Sequence, residues 1–213
     1  MAETIFWDVD TQADFIEPGG RLYVPGAENL VANLERLTTY ARRAGIQIVA
    51  DICDHTEDDD EISAHPDFKS TFPPHCLRGT PGQEKIAATR CVAPLWIENR
   101  PYPLALLRRQ VGAHRGEIVL KKNHVNVFTQ PNTNLLVEVL QPRRIVVYGV
   151  ALDVCVYHAV EGFLSRGDLH VTVVRDAVRA IDPARGDALL RSWEARGVRV
   201  ATTAEVVSEP VSQ

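Results

Sequence analysis

The stretch "RRIVVYGVALDVCVYHAVEG", residues 143–162, decides the fold class. It opens with an apolar, β-branched run, Ile145 to Tyr148, whose composition is typical of a buried strand. Gly149 follows this run, and a helical pattern begins soon afterwards and is closed by Gly167. A strand that leads directly into a helix is part of a β–α–β unit, so the stretch predicts a parallel sheet. It also places one thiol, Cys155, at the start of that helix.

The rest of the chain repeats this alternation of strand and helix. Strands are predicted at "TIFWDVD", "IQIVAD", "EIVLKK", "RRIVVYGV", "HVTVVRD" and "VRVATTAEVV". Helices are predicted at "PGAENLVANLERLTTYARRAG", "TNLLVEVL", "VCVYHAVEGFLSRG" and "PARGDALLRSWEARG". We therefore expect one domain over residues 1–213: a doubly wound, Rossmann-like α/β fold whose six parallel strands carry helices on both faces. Residues 52–100 break the pattern, and a loop of such length is usually functional, so we expect an active-site region there.

Composition narrows the class of function. The 213 residues have a net charge of −5 and a pI of about 5.8, which argues against a nucleic-acid partner because such proteins carry a basic face. No apolar run is long enough to span a membrane, so no membrane association is expected. Glu3 lies near the start and no basic segment precedes it, which is unlike a signal peptide. We expect a cytoplasmic protein whose four cysteines are reduced thiols.

Polar residues cluster where the predicted strands end. In open parallel sheets, ligands bind beyond the carboxyl ends of the strands. The residues at those ends are Asp8, Asp10, Asp51, Cys53, Asp54, His55, Lys121, Lys122, Asp153 and Cys155. An acid, a base, a thiol and potential metal ligands are therefore expected to meet at one edge of the sheet.

Cys155 has two interpretations at this point. At a helix N-terminus the dipole and free amides favour a thiolate, and a nearby Lys122 would lower the thiol pKa further. Asp10 would then take the thiol proton, and the amides of Ala151 and Cys155 would form an oxyanion hole. Alternatively, Cys155 is a small buried hydrophobe, as free cysteines often are. The acids and lysines, taken singly, are equally compatible with ordinary strand ends.

Three motifs in order, "DTQADF", "KNHVNVF" and "GVALDVCV", resemble the isochorismatase-like cysteine hydrolases. The resemblance covers nearly the whole chain. It implies that Cys155 is the nucleophile, that Asp10 is the catalytic acid and that Lys122 completes the triad. It also implies a cis peptide bond between Val150 and Ala151, held there for the oxyanion hole.

Two further segments, "EPGGRLYVPGAENL" and "FPPHCLRGTPGQE", are similar to the nicotinamidase branch of that family. This resemblance implies a divalent metal, most often zinc, bound by His75 and by an Asp-x-His motif that falls on "CDH", residues 53–55. His55 takes the histidine position, while Cys53 stands where the family has aspartate. Cys53 is itself a suitable zinc ligand. Asp51 or Asp54 are the alternatives, and loss of the metal is a third.

The same resemblance suggests how a substrate is held. Phe72 stands where the branch has tryptophan, and its ring would stack on a flat heteroaromatic amide. Phe15 is a second candidate wall of the pocket, with core packing as its alternative role. The loop "HTEDDDEISAHPDFKST" is strongly acidic. It is either an ordinary solvated loop or an acidic mouth that selects cationic or neutral substrates over anions.

Together, the residues and the resemblance predict an amidohydrolase that acts on a small carboxamide through a thioester intermediate. Nicotinamide is the substrate that the resemblance implies best, and a ureido or aliphatic amide is the alternative. An isochorismatase-type vinyl-ether hydrolase is a rival, although members with that activity generally lack the cysteine. A catalytically silent, metabolite-binding member is a second rival. The resemblance also implies a homo-oligomer, a dimer or tetramer, and no organic cofactor.

Overall fold

The computed structural model describes residues 3–209, and its centre is a seven-stranded sheet in the order β3-β4-β2-β1-β5-β6-β7. Every neighbouring pair of strands in it is parallel. The strands are β1 Thr4–Val9, β2 Gln47–Cys53, β3 Leu95–Ile97, β4 Ile118–Lys122, β5 Arg144–Val150, β6 His170–Arg179 and β7 Arg199–Ala201. The predicted α/β class and parallel sheet are confirmed.

Helices connect the strands and cover the sheet. They are α1 Ala13–Ile16, α2 Val31–Ala44, α3 Leu104–Ala113, α4 Thr133–Leu140, α5 Cys155–Leu164, α6 Pro183–Ala195 and α7 Thr203–Ser208. Each predicted helix has its counterpart, and α2 ends at Gly45, whose left-handed φ of 66° is easy for glycine. Within residues 3–209 no helix has both the length and the apolar character needed to cross a membrane.

Two apolar cores, one on each face, hold the layers together. On one face, Leu34 and Leu37 of α2 and Val206 of α7 pack with Phe6 of the sheet. On the other, side chains of α3 to α6 pack with Trp7, which lies next to Phe6 in β1 and so points to the opposite face. Alternate side chains of a single strand thus contribute to the two cores, as a doubly wound sheet requires.

The register of the central strands brings their carboxyl ends to one level. Val9 of β1 pairs with Asp51 of β2 on one side and with Gly149 of β5 on the other. Gly149 has a φ of +119°, and a Cβ atom there would lie 2.0 Å from the carbonyl oxygen of Val9. Only glycine fits this close approach of two backbones. The residues that follow these three strands are therefore forced together at the sheet edge.

The prediction of six strands is wrong, because the sheet has seven. The additional strand, β3, is only three residues long and lies inside residues 52–100, so its apolar run is too short to be recognised among the surrounding polar residues. Helix α3 was also not predicted. The final segment "VRVATTAEVV" is not one strand: β7 ends at Ala201, and Thr202 then forms a capping box with Glu205 that starts α7. That box is a sequence signal for a helix start, and it was overlooked.

Candidate active site

Three elements bring Asp10, Lys122 and Cys155 together at the sheet edge. Asp10 directly follows β1, Lys122 is the last residue of β4, and Cys155 is the first residue of α5. The Lys122 ammonium nitrogen lies 2.7 Å from Oδ2 of Asp10 and 3.9 Å from Sγ of Cys155. All three side chains are buried. The predicted triad residues thus share one water-poor cluster, in which charge interactions are stronger than at the surface.

Lys122 is the positive centre of this cluster. Its ammonium group also lies 3.2 Å from Sγ of Cys53 and 3.8 Å from Oδ1 of Asp51. Burial by itself lowers the pKa of Lys122, but Asp10 and the other acidic groups around it together outweigh burial, and the pKa is raised well above its usual range. Burial and the adjacent Asp10 raise the pKa of Asp51 to about 7. The lysine therefore stays charged and balances the nearby acids.

Burial favours the neutral thiol form of Cys155. Burial raises the pKa of Cys155 well above its usual range, the Lys122 charge opposes this, and the Asp10 charge raises the pKa further. Burial is the largest influence on this pKa and exceeds the opposing effect of Lys122, which the sequence alone does not reveal. Oδ1 of Asp10 is buried and accepts no hydrogen bond among the described residues. A free carboxylate oxygen thus stands beside a thiol that needs a proton acceptor.

The backbone next to Cys155 supplies unused donors. The peptide bond between Val150 and Ala151 is cis, at the position that the resemblance implied. Within residues 3–209, neither the Ala151 amide nor the Cys155 amide donates a hydrogen bond. The Asp153 carboxylate accepts the amides of Ile181 and Asp182, at 2.9 and 3.0 Å, and so ties this turn to the end of β6. Two free N–H groups beside a nucleophile are suited to bind an oxyanion.

A second cluster, the Cys53–His55–His75 group, lies beside the triad. One potential ligand atom from each residue falls within 4.8 Å of the others, and all three side chains are buried. Neither ring nitrogen of His55 has a hydrogen-bond partner among the described residues, and burial lowers its pKa to about 4. Nδ1 of His75 is 2.8 Å from the carbonyl oxygen of Pro73, which leaves Nε2 available. Two neutral imidazoles and a thiol are donors that zinc prefers.

The two carboxylates considered as alternative metal ligands lie elsewhere. Asp54 forms an ion pair with Arg78 at 2.7 Å, so its side chain is directed away from the histidines. Asp51 accepts a 2.6 Å hydrogen bond from the Trp7 indole and faces Lys122. Strong partners therefore hold both acids in this arrangement, and the group of potential ligand atoms contains Cys53 and neither acid. Which residue takes the place of the missing aspartate stays a prediction.

A narrow cleft opens in front of Cys155, with about 400 Å³ of empty space when its opening to solvent is included. Both aromatic residues predicted for it, Phe15 and Phe72, line its walls. The His75 ring lies near both, with centroids 5.3 Å from Phe15 and 6.2 Å from Phe72. The remaining walls are mostly aliphatic. The cleft is therefore suited to a small, flat, largely apolar molecule with one end near the thiol.

Two residues of the site were missed by the sequence analysis. The Gln12 side chain donates to the carbonyl oxygen of Cys53 and accepts from its amide, both at 2.8 Å, which ties β1 to the end of β2. Its place in "DTQADF", between Asp10 and Phe15, was the available signal. Glu61 lines the cleft although it belongs to the acidic run that favoured a solvated loop. Nothing in the local sequence distinguishes it from its exposed neighbours.

Comparisons with known proteins agree with this architecture. A nicotinamidase/pyrazinamidase from Mycobacterium tuberculosis is 38% identical over 78 residues, which span 36% of this chain and 40% of that protein. A protein of Arabidopsis thaliana named "Probable inactive nicotinamidase" is 23% identical over 92% of this chain and 91% of its own. The crystal structure of a Pyrococcus horikoshii pyrazinamidase in complex with zinc superimposes with a TM-score of 0.70, at 22% identity, over 94% of this chain and 99% of that one.

A family model gives the most direct assignment. The isochorismatase domain matches residues 98–205, just over half of the chain, and this segment includes Lys122, the cis peptide bond and Cys155. The matched segment therefore contains two members of the buried triad, while Asp10 is contributed by the first strand of the same sheet. The chain belongs to the isochorismatase domain family.

Proposed function

We propose that this protein is a cysteine amidohydrolase that cleaves a small carboxamide into a carboxylic acid and ammonia. One observation carries the proposal: a buried thiol, Cys155, shares a cluster with an Asp10–Lys122 ion pair and lies beside two backbone amides that have no hydrogen-bond partner among the described residues. An inert core cysteine requires neither a neighbouring ion pair nor free donors, and burying these groups costs free energy unless they are used.

In the first half of the reaction, Oδ1 of Asp10 accepts the proton of the Cys155 thiol. The Lys122 ammonium group stabilises the thiolate as it forms, which offsets the burial that otherwise raises its pKa. The thiolate sulfur then attacks the amide carbon, and a carbon–sulfur bond forms while the carbonyl π electrons move to oxygen. The amides of Ala151 and Cys155 donate to that oxyanion.

In the second half, the protonated Asp10 gives its proton to the amide nitrogen as the carbon–nitrogen bond breaks. Ammonia leaves and a thioester on Cys155 is left. Asp10, now a carboxylate again, accepts a proton from water, whose oxygen attacks the thioester carbon. Carbon–sulfur cleavage releases the acid product and returns the proton to the thiol, so the sum is amide plus water to acid plus ammonia.

The shape and chemistry of the cleft support nicotinamide as the first substrate to test. Phe15 and Phe72 provide aromatic walls for a flat ring. The Mycobacterium tuberculosis relative, matched over 40% of its length, is named for nicotinamide and pyrazinamide. A ureido or aliphatic amide is the alternative class. A homo-oligomeric state and a cytoplasmic location stay predictions.

We also propose that the Cys53–His55–His75 group holds a divalent metal ion, with zinc the best match to its donors. The fit rests on His55, whose two buried ring nitrogens form no hydrogen bond among the described residues, although Nδ1 lies 3.5 Å from Oδ2 of Asp59. Bound zinc would supply a positive charge that orients and polarises the substrate. Zinc content of the purified protein, measured by mass spectrometry, should approach one ion per chain and fall in His55→Ala. The exposed His65→Ala is the matched control.

The decisive experiment measures ammonia release from nicotinamide by the purified protein and by Cys155→Ala. Cys91→Ala is the matched control, because Cys91 is a half-buried thiol outside the cleft. Activity that is lost in Cys155→Ala and kept in Cys91→Ala is the expected result. Release of ammonia that survives in Cys155→Ala would exclude the thioester mechanism. No release from any of a panel of aromatic, ureido and aliphatic amides would instead favour a silent, metabolite-binding member of the family.

A further inference from the structure

Asp8 and Lys85 form a buried ion pair that the proposed reaction does not use. Nζ of Lys85 lies 3.0 Å from Oδ2 of Asp8, and the two side chains are only 6% and 2% exposed. Asp8 belongs to β1 and precedes Asp10 by two residues, whereas Lys85 belongs to the long segment between β2 and β3. Removing two charges from water costs free energy that their attraction need not repay, so a buried ion pair is weak evidence for stability. The pair therefore calls for another role.

The Lys85 ammonium group also contacts the residue that follows Asp10. It donates to Oγ1 of Thr11 at 2.6 Å, and the Thr11 hydroxyl in turn donates to Oδ1 of Asp8 at 2.8 Å. Oγ1 of Thr89 lies 2.7 Å from the same Thr11 oxygen and completes a buried polar network. One lysine thus holds a residue on each side of Asp10 in the chain.

The backbone at Asp10 needs such support. Its φ of +47° lies in the left-handed region, which residues other than glycine rarely adopt unless the surrounding structure holds them there. The segment that carries the lysine pairs with this turn. The Ile86 amide donates to the Thr11 carbonyl oxygen at 3.1 Å, and the Ala13 amide donates to the Glu84 carbonyl oxygen at 2.9 Å. Backbone and side-chain hydrogen bonds from one segment therefore fix the turn that presents Asp10.

The direction of the Asp10 carboxylate matters for the proposed proton transfer. Lys122 donates to Oδ2 at 2.7 Å, while Oδ1 accepts no hydrogen bond from the described residues. We infer that Lys85 is a positioning residue, which fixes the turn around Asp10 and so directs Oδ1 toward the Cys155 thiol. Lys85 itself lines a separate groove that also contains Trp96, so it acts through Asp10 and not on the substrate. The inference rests on the proposed amidase function.

Two substitutions with matched controls separate positioning from folding. Lys85→Met removes the ammonium group at similar volume, but it leaves Asp8 buried without its partner and lowers stability. Thr11→Val is the second variant, because it keeps the ion pair and removes the hydroxyl that connects Lys85 to the turn. Thr11→Ser keeps that hydroxyl and is its control. Arg90→Met removes a cation that is 68% exposed from the same segment, and it is the control for Lys85→Met.

Initial rates on nicotinamide, or on the amide of the panel that is hydrolysed fastest, give kcat and KM for each variant. We expect kcat to fall about tenfold to a hundredfold in Lys85→Met and Thr11→Val, with KM within about twofold, because displacing a reacting group by about 1 Å slows the reaction by up to about a hundredfold. Thr11→Ser and Arg90→Met should keep kcat within about twofold. A folded variant, Lys85→Met or Thr11→Val, that keeps its kcat overturns the inference. So does an equal loss in Thr11→Ser, or a rise in KM as large as the fall in kcat, which would indicate general loss of structure in the cleft.

Hydrogen exchange tests the same inference without turnover. The amides of Gln12 and Ala13 donate to the carbonyl oxygens of Asp10 and Glu84, so their exchange reports on the turn. It should be about tenfold faster in Thr11→Val than in Thr11→Ser, while exchange in β5 changes less, because β5 reports on global unfolding. If the unsubstituted protein hydrolyses no amide, the amidase proposal fails and exchange alone decides whether the turn is held, with equal exchange in the two variants overturning the inference. An active protein whose kcat is unaffected by these substitutions would support the amidase and overturn the role of Lys85.

Discussion

Replacing Lys122 by methionine should destabilise the protein severely. The side chain is 1% exposed, and its ammonium group balances Asp10 at 2.7 Å. Methionine fills a similar volume, so the change removes the charge and leaves little cavity. The Asp10 carboxylate is then buried without a counter-charge, and it must either remain ionised in a poor medium or take up a proton. The size of the effect follows from the cheaper of these two outcomes.

Protonation of the buried carboxyl group sets the upper limit of the stability that Lys122→Met can lose. Protonating a carboxyl group whose pKa in the unfolded chain is about 3.9 costs about 4 kcal/mol of free energy at pH 7, because each pH unit above the pKa corresponds to about 1.36 kcal/mol. Breaking buried ion pairs by removing one partner typically costs about 3–5 kcal/mol, which agrees with that limit. We therefore expect Lys122→Met to lose about 4 kcal/mol in urea-induced unfolding at pH 7. The melting temperature should fall by about 8–16 °C for a chain of this size.

A double-mutant cycle identifies the cause. Asp10→Asn alone should cost less than Lys122→Met, because Lys122 keeps Asp51 at 3.8 Å as a second partner. The double variant Asp10→Asn/Lys122→Met buries no unpaired charge of this pair, so it should recover about 2 kcal/mol or more relative to Lys122→Met. A Lys122→Met variant that loses less than about 1 kcal/mol, or a double variant with strictly additive losses, would refute the reasoning.

Three further predictions concern the backbone at Gly149 and the ionisable side chains of Cys155 and Asp67. Gly149→Ala should destabilise the folded protein by about 3 kcal/mol or more, because the new Cβ atom would lie 2.0 Å from the Val9 carbonyl oxygen. Gly112→Ala is the control: this position in α3 has open space around it, so the substitution should stabilise the protein by up to about 1 kcal/mol in the same urea titration. Iodoacetamide labelling of Cys155, followed by mass spectrometry, should still accelerate above pH 9 because burial raises the thiol pKa; a plateau at neutral pH would contradict this. The Asp67 carboxylate accepts hydrogen bonds from the amides of Lys69, Ser70 and Thr71, and these bonds lower its pKa in the folded protein. Their contribution to stability is therefore complete above the ordinary aspartate pKa and is lost as the pH falls through the lower pKa of the folded state. Asp67→Asn should therefore speed amide exchange at Ser70 at pH 7, and unchanged exchange would show that the carboxylate is not the cap.

Much of the fold was predictable because it depends on local and repetitive signals. The strands that form the centre of the sheet are continuous apolar runs, and the helices are closed by glycines such as Gly45. The errors lie where those signals are weak. Strand β3 has only three residues, too few to show a period, and it pairs with β4 although it lies in the polar stretch before α3. A short edge strand of this kind is stabilised by its neighbour in the sheet and not by its own composition.

The triad was predictable for a different reason. Asp10 directly follows a strand, Lys122 ends one and Cys155 begins a helix, and a parallel sheet brings such positions to one edge. Positions alone do not establish protonation states. The sequence interpretation assigned a lowered thiol pKa to the helix terminus and the lysine, whereas burial raises it, because burial depends on packing from the whole fold.

Glu61 is another residue whose burial could not be predicted from the sequence. In sequence it is the last acid of the run that begins at Glu57, and its neighbours Asp58 and Asp60 are exposed while Glu61 is buried. The backbone pairing of Glu61 with Phe72, eleven residues later, turns this one side chain into the cleft. Burial also raises the pKa of Glu61 to about 7, a shift that depends on the packing of the whole fold and not on the local sequence.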